Sequence, residues 1–466
     1  MRTRLRSNDP STGKIAIPRL ALLARNDDRA RNDDRVRNDS RVRNDRRVSC
    51  LSRAVLLGAL LACRPAHGSA DVSQSGARWW KGNTHTHTLW SDGDDFPEMV
   101  ADWYKQNGYH FVALTDHNTV GTEEKWWPVP QSGVGREAYD QYRARHASVI
   151  QERRSGDTLA VRLRRPAEYA PQIEEPGRFL LVGGEEITQY LERRGAHMNA
   201  LNLVDAIPAQ PGATLVEMLR RDLEAVRDQE RRTGREITAV LNHPNFLWSQ
   251  TAEDLLDLPA LRFFEVYNGH PLVNILGDSV HASNERIWDI VLTHRFAADG
   301  VPLYGVATDD SHDYHRVGTD QRNAGRGWIV VRSARLDADS LTAAMRRGDF
   351  YASTGVELTD VRRAGPSLTL AIRPLAGVTY TTQFIGTRRG WDTTSVPARD
   401  SAGRAVTRRY SRDVGAVLAE VRGTSPAYRF RGDELYVRAR VVSSRPKANG
   451  SLPREVETAW TQPARP

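Results

Sequence analysis

The feature that most constrains the fold is a repeated order of apolar and metal-binding residues. Several short apolar runs, rich in β-branched and aromatic residues, end abruptly in polar side chains of the kind that bind metal ions. These runs are 111–114 before Asp116 and His117, 179–182 before Glu185 and Glu186, 237–241 before His243, 263–267 before Asn268, and 303–307 before Asp309 and Asp310. Such runs predict buried strands with their chemistry at the carboxyl ends.

Amphipathic stretches lie between these runs. Residues 96–107 place their apolar side chains on one side of a helix, and Gly108 follows as a C-cap residue. Alternating strands and helices predict a parallel α/β sheet, and strand-to-helix loops converge in a barrel. We therefore expect an α/β barrel over residues 75–356, in preference to an open sheet.

Two regions depart from this alternation. Residues 122–177 are charged and aromatic, and we expect them to form an insertion that caps the mouth of the barrel. From residue 357 to 466 apolar and polar residues alternate with period two, between Gly and Pro residues. This pattern predicts a smaller all-β, sandwich-like second domain.

The net charge of +8 does not indicate a nucleic-acid partner. Residues 1–68 hold 16 Lys and Arg against 7 Asp and Glu, so the remaining chain holds 50 basic and 51 acidic residues. A nearly neutral body without a basic track disfavours nucleic-acid binding. Both cysteines, Cys50 and Cys63, also lie in the N-terminal part, which excludes disulfides and thiolate ligands from the body.

The N-terminal part contains two kinds of sequence. An Arg-Asn-Asp unit recurs through residues 25–47, and we expect residues 1–47 to be disordered and not translated in the native protein. Residues 48–70 have an apolar run, too short to span a membrane, followed by small residues, as in an export signal. Residues 60–63 are compatible with a lipid anchor at Cys63. We expect an exported, periplasmic protein, and the sequence sets no oligomeric state.

The strongest chemical signal is the set of His, Asp and Glu residues at the strand ends. The segment NTHTHTLWSDG at 83–93 contains an HxH pair, which places two imidazoles on one face of a strand. The pair alone is a weak signal, but it joins LTDHN, GGEEIT, HMNAL, LNHPN and DDSH further along. The candidate ligands are His85, His87, Asp92, His117, Glu186, His197, His243, Asp310 and His312. Imidazole and carboxylate ligands suit zinc, manganese or iron, and we expect two or three such divalent ions.

In this order, the motifs HxH, SDG, TDH, GxE, HxN, HP and DxH resemble the PHP (polymerase and histidinol phosphatase) family over residues 79–355. The resemblance implies a distorted (β/α)7 TIM-like barrel with a trinuclear metal centre. It implies one ion bound by His85, His87, Glu186 and Asp310, a second bound by Glu186, His197 and His243, and a third bound by Asp92, His117 and His312. Glu186, Asp310 and His312 are then the expected catalytic residues.

The residues leave two points open. Many family members have a histidine where Asp92 stands, and this difference leaves the identity of the third ion open. Adjacent strand residues face opposite ways, so only one of Glu185 and Glu186 can reach the metals. The GxE spacing favours Glu186, and the DxH spacing favours Asp310 over Asp309. If the strand ends before Gly184, Glu185 becomes the ligand instead.

Four further segments resemble the exported carbaryl-hydrolase-like branch of that family. They are EVYNG at 265–269, GRGW at 325–328, DFYASTG at 349–355 and AWTQP at 459–463.

Some polar residues close in sequence to the ligand loops are candidate substrate contacts, although a surface or supporting role is the more common one for each. These are Arg326, Arg316, His270, His315 and Tyr267.

Clustered cations acidify a bridging water to hydroxide near neutral pH, orient a substrate and stabilise the charge that develops at the attacked centre. The sequence therefore predicts a metal-dependent hydrolase, with a small phosphorylated ester as the first choice of substrate. A carboxylic or carbamic ester is the alternative substrate. A cell-surface carbohydrate-binding protein with a degenerate barrel is the alternative from another functional class.

Overall fold

The structure, a computed structural model, describes residues 76–466. The expectations for the repeat at 1–47, the export signal at 48–70 and the lipid anchor at Cys63 lie outside the described residues. From residue 76 onward, no helix is both long and apolar enough to cross a membrane.

The part of the chain up to residue 353 contains both strands and helices. In chain order the elements are β1 (Arg78–Asn83), α1 (Pro97–Gln106), β2 (Phe111–Leu114), β3 (Trp126–Pro128), α2 (Val134–His146), β4 (Glu152–Ser155), β5 (Thr158–Arg162), α3 (Pro166–Ile173), β6 (Leu180–Leu191), β7 (Arg194–Leu201), α4 (Leu215–Thr233), β8 (Thr238–Leu241), α5 (Ala252–Leu256), β9 (Phe263–Asn268), α6 (Asn284–Ala297), β10 (Tyr304–Thr308), β11 (Trp328–Ser333), α7 (Ala338–Arg346) and β12 (Phe350–Ser353).

The elements after residue 357 are all strands. They are β13 (Leu358–Ala364), β14 (Ser367–Ile372), β15 (Tyr380–Arg388), β16 (Ser395–Arg399), β17 (Ala405–Tyr410), β18 (Ala416–Arg422), β19 (Ala427–Arg429), β20 (Glu434–Pro446) and β21 (Val456–Thr461).

Local sequence signals place these elements. Every residue of β9 and β10 is buried, as expected for strands covered on both faces. Helix α1 begins with Pro97, and Gly108 follows it with φ +75°, a conformation in which glycine avoids a steric cost. The Thr214 side chain accepts a hydrogen bond from the backbone N–H of Glu217 and caps α4.

The large sheet is mixed and open, so the α/β class is confirmed but the closed barrel is not. Its strand order is β10-β9-β8-β7-β6-β2-β1-β11-β12-β21-β20-β15-β18. Strands β1, β2 and β6 run parallel, as do β8, β9 and β10, but β7 is antiparallel to both of its neighbours. No ladder of the described residues joins β10 back to β11, and the sheet instead continues from β12 into β21.

A long hairpin explains part of this difference. Strand β6 extends twelve residues and turns directly into β7, so no helix crosses over between them. The segment from Thr188 to Gly195 is mostly polar, so no apolar pattern in the sequence predicts a strand there. The hairpin nevertheless serves the site, because it pairs Glu186 with Asn199 and carries His197 beside it.

Three smaller sheets accompany the large one. Strands β3, β5 and β4 form one sheet within the region expected to be an insertion. Strands β13, β14 and β19 form a second, and β16 and β17 form a third. Strand β20 also contacts α6 through a buried ion pair, in which the guanidinium of Arg438 donates to both oxygens of Asp289 at 2.8 and 2.7 Å.

The outer edge of β10 is bound by a side chain where a closed barrel would have a strand. The Gly305 N–H donates to Gln462 Oε1 at 3.0 Å, and Gln462 Nε2 donates to the Gly305 carbonyl at 2.8 Å. Gln462 is buried and directly follows β21. The C-terminal segment therefore pairs with both backbone polar groups of Gly305, on the strand that leads to Asp310.

We expect Gln462→Ala to lower the free energy of unfolding by about 2–4 kcal/mol, because it leaves one buried N–H and one buried carbonyl without partners. Gln383→Ala is the matched control, since that amide bonds an exposed Glu420 and its loss should cost about 0.5 kcal/mol or less. Urea unfolding of both variants measures the difference. Equal stabilities would contradict the edge-binding role of Gln462.

Candidate metal centre

The nine candidate ligands converge at the carboxyl end of the parallel strands. They form four overlapping groups, and within each group the ligand atoms lie within 4.8 Å of one another. The groups are His87, Asp92, His117 and His312; His85, His87 and Glu186; His85, His243 and Asp310; and Glu186, His197 and His243. All nine except Asp92 and His117 are buried.

Glu186 lies at the centre of these groups. A backbone bridge between His117 and Glu186 brings β6 next to the loop after β2. The two carboxylate oxygens face different sets of imidazoles. Oε2 lies 2.9 Å from His117 Nδ1, 3.4 Å from His87 Nε2 and 3.5 Å from His85 Nε2. Oε1 lies 3.0 Å from His197 Nδ1 and 3.4 Å from His243 Nε2.

Asp310 is held in an unusual backbone conformation. Its φ is +51°, a left-handed value that costs a non-glycine residue about 1–2 kcal/mol. Its carboxylate Oδ1 lies 3.3 Å from His85 Nε2 and 3.4 Å from His87 Nε2. The preceding Asp309 points elsewhere, into the turn at 325–327. The structure therefore places Asp310, and not Asp309, among the candidate ligands.

The buried carboxylate of Asp309 fixes this turn. It accepts hydrogen bonds from the backbone N–H groups of Gly325, Arg326 and Gly327 at 2.9, 2.6 and 2.7 Å. The Tyr104 hydroxyl donates to it at 2.7 Å. Four donors to one carboxylate compensate for its burial and hold the end of β10 in place.

Glu265 supports His85 from behind. His85 Nδ1 lies 2.7 Å from Glu265 Oε1, so this carboxylate orients the ring with Nε2 toward the cluster. The same carboxylate accepts from the Thr308 hydroxyl at 2.7 Å and from the backbone N–H of His243 at 2.7 Å. Sequence reasoning did not single out Glu265 as a site residue, although EVYNG contains it.

Asp116 organises the loop that carries His87 and Asp92. It accepts from the backbone N–H and the hydroxyl of Thr88 at 2.7 and 2.8 Å, and from the Ser91 hydroxyl at 2.6 Å. The aspartate of the TDH motif therefore shapes the loop while the neighbouring His117 joins the cluster.

Asp92 lies at the exposed edge of the cluster, with half of its side chain accessible to solvent. Its Oδ1 lies 3.3 Å from His312 Nε2 and 3.6 Å from both His117 Nε2 and His87 Nδ1. Its Oδ2 lies 3.7 Å from Nη1 of Arg322. Solvent reaches the cluster at this edge.

The donor set fits divalent cations. His197 Nε2 is buried and has no hydrogen-bond partner among residues 76–466. The Nε2 atoms of His85 and His87 lie 3.1 Å apart, and both are close to the same carboxylates. Converging buried nitrogen lone pairs and carboxylates are the arrangement that transition-metal ions stabilise.

The electrostatics favour ionised carboxylates. Burial alone would raise the pKa of Glu186 and of Asp310, but the neighbouring imidazoles outweigh burial and hold each pKa well below its usual value. Burial lowers the pKa of His87 to about 3, with His312 and His117 adding to that effect, so this imidazole is neutral at pH 7. Against the effect of burial, the same carboxylates raise the pKa of His85, of His117 (to about 9) and of His243, so these rings must lose a proton when a metal ion binds.

Glu185 points away from the cluster, as alternation along the strand predicts. It is fully buried, and its Oε1 accepts from the backbone N–H of Ile207 at 2.5 Å. Burial raises the pKa of its carboxyl group to about 7, and the nearby Asp222 adds to the shift.

Among the five candidate substrate contacts, His270 lies beside the cluster. Its ring centroid is 5.8 Å from that of His312. The backbone N–H of Leu272 donates to His270 Nδ1 at 3.1 Å, which leaves Nε2–H as a donor. Burial lowers the pKa of His270 to about 3, so the ring is neutral at pH 7.

The structure places the other four candidates in supporting or surface positions. The buried Arg326 donates to the backbone carbonyls of Gly269, Gln321, Gly318 and Asn449. Arg316 is exposed beside Glu137, His315 is close to Asp95, and the Tyr267 hydroxyl accepts from Lys447. Proximity in sequence selected these residues, but their side chains form hydrogen bonds or ion pairs with groups other than the nine ligands.

Arg322 is the cationic side chain that sequence reasoning missed. It lies on the long loop between β10 and β11, and its guanidinium donates to both oxygens of Asp313 at 3.2 and 2.9 Å. Its backbone carbonyl also accepts from the His312 N–H at 2.8 Å. No sequence pattern distinguishes it from the other loop arginines.

No protein-family model matches the chain, and no curated protein matches it. Among solved structures it is similar to a two-domain protein from Bacteroides vulgatus, which is described as containing a PHP-like metal-dependent phosphoesterase. The two sequences are 15% identical, the match covers 84% of this chain and 96% of that chain, and the TM-score is 0.37. It is also similar to a protein from Bifidobacterium adolescentis described as a metal-dependent phosphoesterase (15% identity, 57% and 94% covered, TM-score 0.30).

A third similar structure is an amidohydrolase from Chromobacterium violaceum, with bound sulfate and no metal (16% identity, 50% and 88% covered, TM-score 0.25). At identities and TM-scores this low, we base neither the family nor the function of this chain on these likenesses. The PHP resemblance therefore depends on the motifs in the sequence.

We expect Glu186→Gln to lose at least about one bound ion per chain, because a neutral amide would not balance the charge of cations held by the surrounding histidines. Glu185→Gln should keep the wild-type metal content, since an amide resembles the protonated acid in shape and charge. Elemental analysis of both full-length variants, purified without chelator, measures this. Equal metal content in the two variants would contradict the central position of Glu186.

Proposed function

We propose that the chain is a metal-dependent hydrolase of the PHP type, and that it cleaves a phosphoester bond in a small anionic substrate. The observation that carries the proposal is the nine-ligand cluster with Arg322 at its exposed edge. Two or three clustered divalent ions would supply an acidified water and a Lewis acid for the ester. His85, His87, Glu186, His197, His243 and Asp310 would hold two of them, and Asp92, His117 and His312 would hold the third.

Arg322 supports a phosphoester over a neutral ester. Among the arginine and lysine side chains of residues 76–466, Arg322 alone pairs with one of the nine ligands. Its Nη1 lies 3.7 Å from Oδ2 of Asp92. Asp313 holds the guanidinium on the opposite side, and about a third of the side chain is exposed. A planar guanidinium fixed in this way matches the oxygens of a phosphoryl group. A carboxylic or carbamic ester presents no anion for it.

The complete ligand set also disfavours the carbohydrate-binding alternative, because a degenerate site would have lost ligands. The carbaryl-hydrolase-like branch depends on four short segments alone. Export to the periplasm, the identity of the metals, the small-molecule substrate and the absence of a nucleic-acid partner stay predictions from the sequence.

We expect Arg322→Ala to lower kcat/KM for a phosphomonoester by about 10–100-fold, since a charge-assisted hydrogen bond contributes about 1.5–3 kcal/mol. Arg322→Lys should restore part of the loss. Arg316→Ala is the matched control, because this nearby arginine is exposed and pairs with Glu137 instead. Steady-state kinetics on phenyl phosphate, glycerol phosphate and phenyl acetate, with metal content checked for each variant, measures the effect.

Two outcomes would contradict the proposal. Absence of phosphoester turnover by the metal-loaded protein would refute the phosphoesterase assignment. An equal fall for phenyl acetate and phenyl phosphate in Arg322→Ala would show that the arginine does not recognise the anion.

A further inference from the structure

We propose that the organic part of the substrate is apolar, and that it binds to a hydrophobic rim beside His243. The rim consists of Phe246 and Leu247 on the loop after β8, and Leu272 on the loop after β9. This inference rests on the proposed function, because it assigns the substrate class of the same site.

The rim begins at the metal centre itself. The ring of Phe246 lies 5.1 Å from that of His243 and 5.7 Å from that of His270. On the neighbouring hairpin, the ring of Tyr190 lies 5.0 Å from that of His197. The part of the cluster formed by His197 and His243 is therefore flanked by aromatic rings, whereas the part at Asp92 is flanked by an arginine.

Backbone and side-chain hydrogen bonds join the two loops of the rim. Phe246 and Val273 form an antiparallel bridge, which places Leu247 and Leu272 in adjacent positions on the two loops. The buried Asn245 donates from Nδ2 to the carbonyls of Asn274 and Ala282 at 3.1 and 2.9 Å. The rim is thus a fixed surface, which lowers the entropy cost of binding a ligand.

The backbone of this loop is strained. Leu247 and Trp248 have φ values of +51° and +57°, in the left-handed region that bulky residues rarely adopt. The Trp248 ring stacks on that of His281 at 4.1 Å, while the Leu247 side chain is 49% exposed. Strain of this kind persists where surroundings enforce it, and it is concentrated at binding sites. Here it keeps a leucine in solvent beside the metal centre.

Exposed leucines are concentrated on these loops. Over residues 76–466, four leucines are exposed, and three of them lie here: Leu247, Leu272 and Leu276. A cluster of exposed apolar side chains marks a binding surface. Because Leu247 and Leu272 adjoin the Phe246–Val273 bridge and Phe246 contacts His243, we assign these two leucines to the substrate, in preference to a second copy of the chain.

Together the two features define a substrate of one chemical class. Arg322 contacts Asp92, and the rim contacts His243, which belong to different ligand groups. The fitting substrate has an anionic phosphoryl group and an aryl or alkyl group on the alcohol side. A polyol such as glycerol or a sugar leaves the rim in contact with hydroxyl groups, which gain nothing from it.

The test compares two phosphonates that carry the same anionic group and differ in the apolar area of the group on phosphorus. We expect phenylphosphonate to bind the metal-loaded, full-length protein about tenfold more tightly than methylphosphonate, measured by isothermal titration calorimetry. Leu247→Asn and Leu272→Asn should each remove most of this difference and leave methylphosphonate affinity unchanged. Leu375→Asn, at the remaining exposed leucine, should keep the full difference.

Leu247→Asn is also expected to fold, because asparagine adopts the left-handed conformation more readily than leucine does. Equal binding of the two phosphonates by the wild-type protein, or an unchanged preference in both rim variants, would overturn the apolar rim but leave the phosphoesterase assignment standing. If neither phosphonate binds, both the rim and the phosphoester assignment are wrong.

Discussion

A single buried carboxylate, Glu186, lies within 3.5 Å of five imidazoles, and the rest of the site is arranged around it. A charge in this position is expensive to bury unless opposite charges or hydrogen bonds compensate it. The five histidines come from four separate segments of the chain, at the ends of β1, β2 and β8 and within β7. The parallel strands and the β6–β7 hairpin are therefore the parts of the fold that this interaction requires.

Three further buried carboxylates hold the ligands in place without joining them. Asp309, Asp116 and Glu265 each accept at least three hydrogen bonds from fixed donors, and each lies directly behind a segment that carries ligands. The structure thus separates acids that face the cluster from acids that fix the loops around it. Supporting partners of this kind set the orientation and basicity of metal ligands.

The sequence predicted the residues of the site more accurately than it predicted the topology of the sheet. Apolar runs marked β2, β8, β9 and β10 and hence the positions of their carboxyl ends, because buried strands are rich in apolar residues. The GxE spacing distinguished Glu186 from Glu185. The open sheet was not predictable, because it involves contacts between segments distant in sequence: β12 pairs with β21, and Gln462 binds the edge of β10. Arg322 was missed because the orientation of a loop arginine is set by Asp313, which no local pattern reveals.

The most direct test of the metal centre is a crystal structure of the protein with anomalous diffraction measured at the absorption edges of zinc, manganese and iron. A metal centre predicts anomalous peaks at about 2.0–2.3 Å from the carboxylate oxygens of Glu186 and from the facing histidine nitrogens. A map without peaks there, with Glu186 hydrogen-bonded directly to protonated His117 and His85, would contradict it.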